Sequence, residues 1–110
     1  MTEAALERPA SVVVDVSDLV PGGLRAFEAG GRKLLVCRVG EEFFALENRC
    51  PHVAIRLEQG RLQGCVLECP LHGGKLDVRD GSPQGHPIRK PATTFAVRPV
   101  EGGLEIALGD

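Results

Sequence analysis

The sequence predicts an all-β domain, a sandwich or barrel of short antiparallel strands. Runs of four to eight apolar or β-branched residues recur along the chain between turn residues. Fourteen glycines and eight prolines among 110 residues favour many turns. No helical apolar period extends beyond a turn or two. A chain of this length supports a single hydrophobic core, so we expect one domain.

The first half of the chain is expected to form a strand followed by a three-stranded meander. Residues 1–10 are interpreted as a flexible tail and residues 11–110 as the domain. A β-branched run begins at Ser11, and Gly30-Gly31 and Gly40-Glu41 provide the later turns. The expected strands of this half are 11–16, 24–29, 32–39 and 42–47.

The second half is expected to contain a small lobe, about residues 48–74, inserted into the β body. Within it, a hairpin turns at Gln63-Gly64. A strand follows the lobe, then a Pro-rich loop at about 82–91, which is rigid over 82–87. The expected strands of this half are 57–63, 65–68, 75–79, 93–100 and 104–108.

Charge and hydropathy exclude several functions. The net charge is -2 with a pI near 5.9, and no basic stripe is present, so we expect no nucleic-acid partner. No run of about 18 apolar residues exists, so we expect no membrane span. The N-terminus shows no apolar segment typical of a secretion signal, which predicts a cytoplasmic protein with reduced thiols.

Two short Cys/His pairs are the strongest chemical signal. They are Cys50-Pro51-His52 and Cys69-Pro70-Leu71-His72, separated by residues 53–68. Thiolate and imidazole ligands suit zinc, copper or iron–sulfur centres rather than calcium or magnesium. One zinc ion could use all four ligands. A [2Fe–2S] cluster could instead take both cysteines on one iron and both histidines on the other.

The spacing favours the cluster over zinc. Zinc modules usually place two to four residues between paired cysteines and three to five between paired histidines, whereas each pair here is mixed. Cys-x-His followed by Cys-x-x-His resembles the Rieske motif. Gly73, the Lys75-Leu76-Asp77-Val78 run, Asp80-Gly81 and the Pro-bearing loop extend the resemblance to the small Rieske-type ferredoxins of bacterial ring-hydroxylating dioxygenases.

This resemblance implies a Rieske-type β fold and one [2Fe–2S] cluster bound by Cys50, His52, Cys69 and His72, with the histidines at an exposed tip. It also implies an electron carrier rather than an enzyme. Such a carrier takes electrons from an NAD(P)H-dependent flavin reductase and passes them to a terminal oxygenase of aromatic hydrocarbon catabolism. We expect a monomer. The alternatives are the small subunit of an assimilatory nitrite reductase and a structural zinc module.

The family comparison also predicts a low reduction potential. High-potential Rieske proteins carry a disulfide between their two cluster loops, and Ile55 and Leu71 occupy those positions here. They also carry Ser and Tyr hydroxyls near the cluster, where this chain has Gly74 and Leu76. Because fewer donors stabilise the reduced cluster, we expect a potential within roughly 100 mV of the lower Rieske limit of about -150 mV.

The remaining notable residues have simpler interpretations. Cys37 and Cys65 are expected to be buried thiols, although a disulfide between them is conceivable. His86 is expected on a surface loop, with a position near the cluster as the alternative. The phenylalanines are expected in the core: Phe43, Phe44 and Phe95. The charges around the two Cys/His pairs are expected to be solvated and able to steer a redox partner.

Overall fold

The computed structural model of the chain describes residues 10–51, 55–70, 73–85 and 88–109. Within these ranges the protein is all-β and contains no helix, which confirms the predicted fold class. No helix in the described ranges could therefore cross a membrane. The eleven strands found there are β1 Ala10–Val14, β2 Leu24–Ala29, β3 Arg32–Val39, β4 Glu42–Glu47, β5 Arg61–Gln63, β6 Val66–Glu68, β7 Lys75–Asp77, β8 Pro83–Gly85, β9 Thr94–Phe95, β10 Val97–Val100 and β11 Gly103–Gly109.

The strands form three antiparallel sheets. The terminal sheet has the order β1-β11-β10, so β1 pairs with β11 near the other end of the sequence. The middle sheet has the order β2-β3-β4-β9 and contains the predicted meander. The finger sheet has the order β5-β6-β7-β8, and Cys69 directly follows its strand β6.

The middle sheet is buried on both faces. Four consecutive residues of β3, from Leu34 to Cys37, have no solvent exposure. Alternate side chains of a strand point to opposite faces. Leu34 and Val36 accordingly pack with residues of the terminal sheet, while Leu35 and Cys37 pack with residues of the finger sheet. The sequence predicts one core, and the structure shows two clusters of buried residues separated by this sheet.

The two clusters differ in their neighbours. The terminal cluster contains residues of β1 and β11, such as Val14, Leu104 and Ile106. The finger cluster contains Cys50 and Cys69 together with leucines of the finger sheet, such as Leu67 and Leu76. The predicted core phenylalanines Phe43, Phe44 and Phe95 are half-buried and pack at the margins of these clusters. Cys50 and Cys69, the two thiols that are predicted metal ligands, therefore lie on one side of the middle sheet.

Several predicted elements differ in detail: the predicted strand 11–16 is found at Ala10–Val14, and the predicted strand 75–79 ends at Asp77. Residues 57–60 form a turn rather than the start of a strand, and Gly60 donates its N–H to the Leu57 carbonyl. Within the predicted Pro-rich loop, Pro83–Gly85 forms β8 at the edge of the finger sheet. Proline is tolerated there because an edge strand has no partner on its outer side.

The predicted strand 93–100 is divided at Ala96. β9 pairs with β4 in the middle sheet, whereas β10 pairs with β11 in the terminal sheet. Phe95 and Val97 both pack on the terminal cluster, so the chain turns a corner around that cluster as it changes sheets. The sequence predicts a continuous strand here because no glycine or other turn residue stands at the break.

Candidate metal centre

Cys50 and Cys69 are the two predicted ligands that the structure describes. They retain 2% and 3% of their solvent exposure, and both belong to the finger cluster. Cys50 lies three residues after β4, and Cys69 lies one residue after β6. The fold therefore brings thiols that are far apart in sequence into one buried group of side chains.

Each cysteine begins a loop that is closed in the same way. We call residues 48–54 the first finger and residues 69–74 the second finger. The backbone N–H of Cys50 donates to the carbonyl oxygen of Ile55, with an N···O distance of 2.8 Å. The N–H of Cys69 donates to the carbonyl oxygen of Gly74 at 2.6 Å. In both cases the bond joins a cysteine to the fifth residue after it.

Asn48 ties together the two ends of the first finger. Its side-chain oxygen accepts a hydrogen bond from the Leu57 N–H at 2.7 Å, and its side-chain nitrogen donates to Oε1 of Glu58 at 2.8 Å. Its backbone N–H donates to the Lys33 carbonyl of β3. The side chain is buried, so these bonds satisfy polar atoms that would otherwise be costly to bury. Sequence analysis did not identify this role, although an Asn two residues before Cys50 is a readable signal.

The predicted histidines His52 and His72 lie outside the described residues, as does His86. Among the residues that are described, no group of three or more metal-binding side chains converges. The four-residue ligand set therefore stays a prediction, of which the structure describes the two thiols.

The other two cysteines have different environments. Cys37 is fully buried, and burial raises the pKa of its thiol to about 12. A thiol with that pKa remains protonated at neutral pH, which supports the predicted core role. Cys65 is half-buried at the turn before β6, and its sulfur lies 4.0 Å from Oδ2 of Asp77. None of the four cysteines, all of them described, forms a disulfide.

Asp77 anchors the turn between β7 and β8. Its carboxylate accepts hydrogen bonds from the backbone N–H and the guanidinium of Arg79, which lower its pKa. Its carbonyl oxygen accepts the N–H of Gly81 at 2.6 Å, and Gly81 in turn accepts the Ala92 N–H. These bonds fix the turn that follows the second finger. Sequence analysis did not predict this role of Asp77, because an Asp-x-Arg pattern does not by itself indicate a turn.

A row of charged residues crosses the finger sheet beside the second finger. Arg61 pairs with Glu68, and Glu68 pairs with Lys75, in the strand register. An oxygen of Glu68 lies 3.2 Å from the place where a Cβ on Gly73 would stand. The Glu68 carboxylate therefore lies against the second finger. Beside it is a cavity of about 260 Å³, lined by Gln59, Arg61, Glu68, Cys69 and Pro70.

Comparison with known proteins decides the family. The profile of the Rieske [2Fe-2S] domain matches residues 10–96, which is most of the chain. The chain belongs to the Rieske [2Fe–2S] domain family. The Rieske cofactor is one [2Fe–2S] cluster, and the predicted cofactor is confirmed at that level.

Curated relatives of this Rieske chain are ferredoxins of aromatic dioxygenase systems. It is 35% identical to the anthranilate 1,2-dioxygenase ferredoxin subunit of Burkholderia cepacia over 99% of this chain and 100% of the relative. It is 40% identical to ferredoxin CarAc of Metapseudomonas resinovorans, over 86% of this chain and 90% of the relative. It is 43% identical to the biphenyl 2,3-dioxygenase ferredoxin component of Rhodococcus jostii (strain RHA1), over 74% of this chain and 76% of the relative. These relatives are electron-transfer components, which confirms the prediction of a carrier rather than an enzyme.

Solved Rieske ferredoxins share the fold. A chain in the complex of reduced oxygenase and oxidized ferredoxin of carbazole 1,9a-dioxygenase is 36% identical, with a TM-score of 0.84 over 94% of this chain and 97% of that chain. The ferredoxin of carbazole 1,9a-dioxygenase from Nocardioides aromaticivorans IC177 is 31% identical, with a TM-score of 0.83 over 92% of this chain and 98% of that chain.

The described part of the site fits the cluster. Two thiols begin two similarly closed loops, lie in one buried group and are not oxidised to a disulfide. Iron–sulfur clusters require thiolates held by the protein, and a Rieske centre requires two of them. The donor types present therefore match the cofactor of the family.

Proposed function

We propose that this chain is a ferredoxin that carries single electrons from an NAD(P)H-dependent flavin reductase to a terminal oxygenase of aromatic hydrocarbon catabolism. The cluster would be held by Cys50 and Cys69 on one iron and by His52 and His72 on the other. Support comes from the names of the relatives and from the complex of a similar ferredoxin with its oxygenase.

The observation that carries this proposal is the matched closure of the two fingers. Cys50 and Cys69 each donate an N–H to the fifth residue onward, and both thiols are buried in the finger cluster. Two loops that are closed alike, each with one Cys and one His in sequence, supply the two thiolates and two imidazoles that a Rieske centre requires. When bound, the cluster accepts and releases one electron.

Mixed ligation sets the range of the potential. Replacing two thiolates by neutral imidazoles removes negative charge from around the iron, so an incoming electron is repelled less. Rieske potentials therefore lie at roughly -150 to +300 mV, against about -400 mV for plant-type ferredoxins. We propose a value near the lower end, since Ile55, Gly74 and Leu76 provide no disulfide and no hydroxyl donors.

The test is metal and spectroscopic analysis of freshly purified protein and two cysteine variants. We expect a red-brown protein with iron and acid-labile sulfide in equal amounts, two of each per chain. Cys69→Ser should lose the cluster, whereas the matched control Cys65→Ser should keep it. Stoichiometric zinc without sulfide would instead establish the structural zinc module, and cluster loss in both variants would refute the ligand assignment.

The physiological setting is part of the same proposal. We propose that the protein is cytoplasmic and binds neither nucleic acid nor membrane. We also propose that it is a monomer, because one end of the molecule must contact two partners in turn. Light scattering after size exclusion checks the oligomeric state. Reduction of the protein by NADH and a flavin reductase, followed by reoxidation with an oxygenase, checks the direction of electron flow.

A further inference from the structure

The charges of this chain are unevenly distributed. We call the described residues 48–51, 55–61, 68–70 and 73–75 the finger end, because they contain the described parts of both fingers and the residues that flank them. The finger end contains four Lys/Arg residues and two glutamates, whereas the rest of the chain contains nine Lys/Arg and thirteen Asp/Glu residues. A chain with a net charge of -2 thus has a positively charged end.

Exposure increases this asymmetry. The four basic side chains of the finger end are exposed: Arg49, Arg56, Arg61 and Lys75. Its two glutamates are half-buried. Glu58 accepts a hydrogen bond from Asn48 and lies 3.9 Å from Arg56, and Glu68 lies against the second finger. The exposed charges among the described residues of the finger end are therefore all basic. Arg56 also lies near the exposed ion pair of Glu28 and Lys33, which adds no net charge.

Strand register and sequence position place these cations next to the segments that contain Cys50 and Cys69. Arg61 and Lys75 stand on either side of Glu68, which directly precedes Cys69. Arg49 directly precedes Cys50, and Arg56 follows Ile55, whose carbonyl closes the first finger. Of these cations, Arg61 also lines the cavity beside Glu68 and Cys69. Both finger bases are thus flanked by basic side chains.

We propose that the finger end is a docking surface for a redox partner protein whose own contact surface is acidic. This inference rests on the proposed function, since it assumes that electrons leave through this end. At physiological salt the Debye length is about 8 Å, so a docked partner responds mainly to nearby charges rather than to the net charge of the whole chain. The local charge therefore predicts attraction where the net charge predicts repulsion.

Two small oxidants of opposite charge test the sign of the local field. One electron passes from the reduced cluster to ferricyanide, giving ferrocyanide, or to hexaamminecobalt(III), giving cobalt(II), and the cluster returns to its oxidised state. Rates are measured by stopped flow on the reduced holoprotein from about 0.01 to about 0.15 M salt, where the Debye length falls from about 30 to about 8 Å. We expect the ferricyanide rate to fall severalfold and the cobalt rate to rise.

Charge variants locate the effect. Arg61→Gln should weaken the salt dependence of the ferricyanide rate, whereas Arg98→Gln, which makes the same change in net charge on β10 of the terminal sheet, should leave it nearly unchanged. A ferricyanide rate that rises with salt, a rate independent of salt, or equal effects of the two variants would overturn the inference. A protein without iron and sulfide would instead refute the proposed function, so the two failures are distinguishable.

Discussion

The side-chain oxygen of Asn48 accepts a hydrogen bond from the backbone N–H of Leu57 at 2.7 Å, across the base of the first finger. Leu57 is fully buried in the finger cluster, and Asn48 is also held by β3 through the Lys33 carbonyl. Asn48 therefore links the loop that contains Cys50 to the middle sheet through its backbone N–H and to the buried Leu57 through its side chain.

Asn48→Ala is expected to destabilise the protein and loosen the first finger. The change leaves the buried Leu57 N–H without its acceptor, which typically costs about 1–3 kcal/mol. Urea unfolding measures the free energy of unfolding, and iron content after dialysis measures cluster retention. The exposed Gln63→Ala on β5 is the control and should change stability by less than about 0.5 kcal/mol. Equal stability of both variants would contradict a structural role for Asn48.

Glu68→Gln is expected to raise the reduction potential of the cluster. Glu68 directly precedes Cys69, and its carboxylate lies against Gly73, which directly follows His72 in the sequence, so its negative charge should disfavour an added electron. We expect a three- to tenfold shift in the reduction equilibrium, or about 30–60 mV. Glu101→Gln removes the same charge from the distant β10–β11 turn and should shift the potential far less. Spectroscopic redox titration makes the comparison, and equal shifts would refute the role of Glu68.

Gly81→Ala is expected to destabilise the turn between β7 and β8 severely. An added Cβ would stand 2.3 Å from the Ala92 carbonyl oxygen, and φ is +79°. Gly22→Ala is a matched control, because Gly22 has φ +85° but no atom within 4 Å of the added Cβ. Gly22→Ala should therefore lower the free energy of unfolding by only about 1–2 kcal/mol, the cost of a left-handed backbone conformation for alanine. Thermal unfolding should show a clearly larger loss for Gly81→Ala, and similar losses would mean that the close approach is relieved easily.

The double variant His52→Cys with His72→Cys is expected to lower the potential of any cluster that it retains. Two thiolates would replace two neutral imidazoles, and the added negative charge should move the potential towards the value of about -400 mV of all-cysteine clusters. Direct voltammetry measures the shift, with the wild-type protein as reference. An unchanged potential in a variant that still contains iron and sulfide would show that these histidines are not ligands.

Sequence patterns were sufficient for the fold class and for most strands, because the apolar runs and glycine turns are local signals. They could not show that β1 pairs with β11, since pairing between distant strands depends on packing rather than on local propensity. The division of the predicted strand 93–100 at Ala96 was missed for the same reason. Asn48 was missed because its partners, Leu57 and Glu58, are brought to it by the closing of the loop.

The site was predictable as a set of residue types but not as an arrangement. The Cys/His spacing identified the family without any structural information. Both fingers are closed by hydrogen bonds to backbone carbonyls, those of Ile55 and Gly74. Such bonds do not depend on the type of side chain, so the sequence does not predict them. The position of Glu68 against the second finger depends on strand register, and sequence analysis assigned no role to this residue.

Strand β3 contributes adjacent residues to both buried clusters, Leu34 and Val36 to one and Leu35 and Cys37 to the other. Because both clusters of buried side chains pack against β3, loss of packing in one cluster should also disrupt the other. We therefore expect the packing of both clusters to be lost in a single cooperative transition, monitored by far-ultraviolet circular dichroism, rather than in two separate steps.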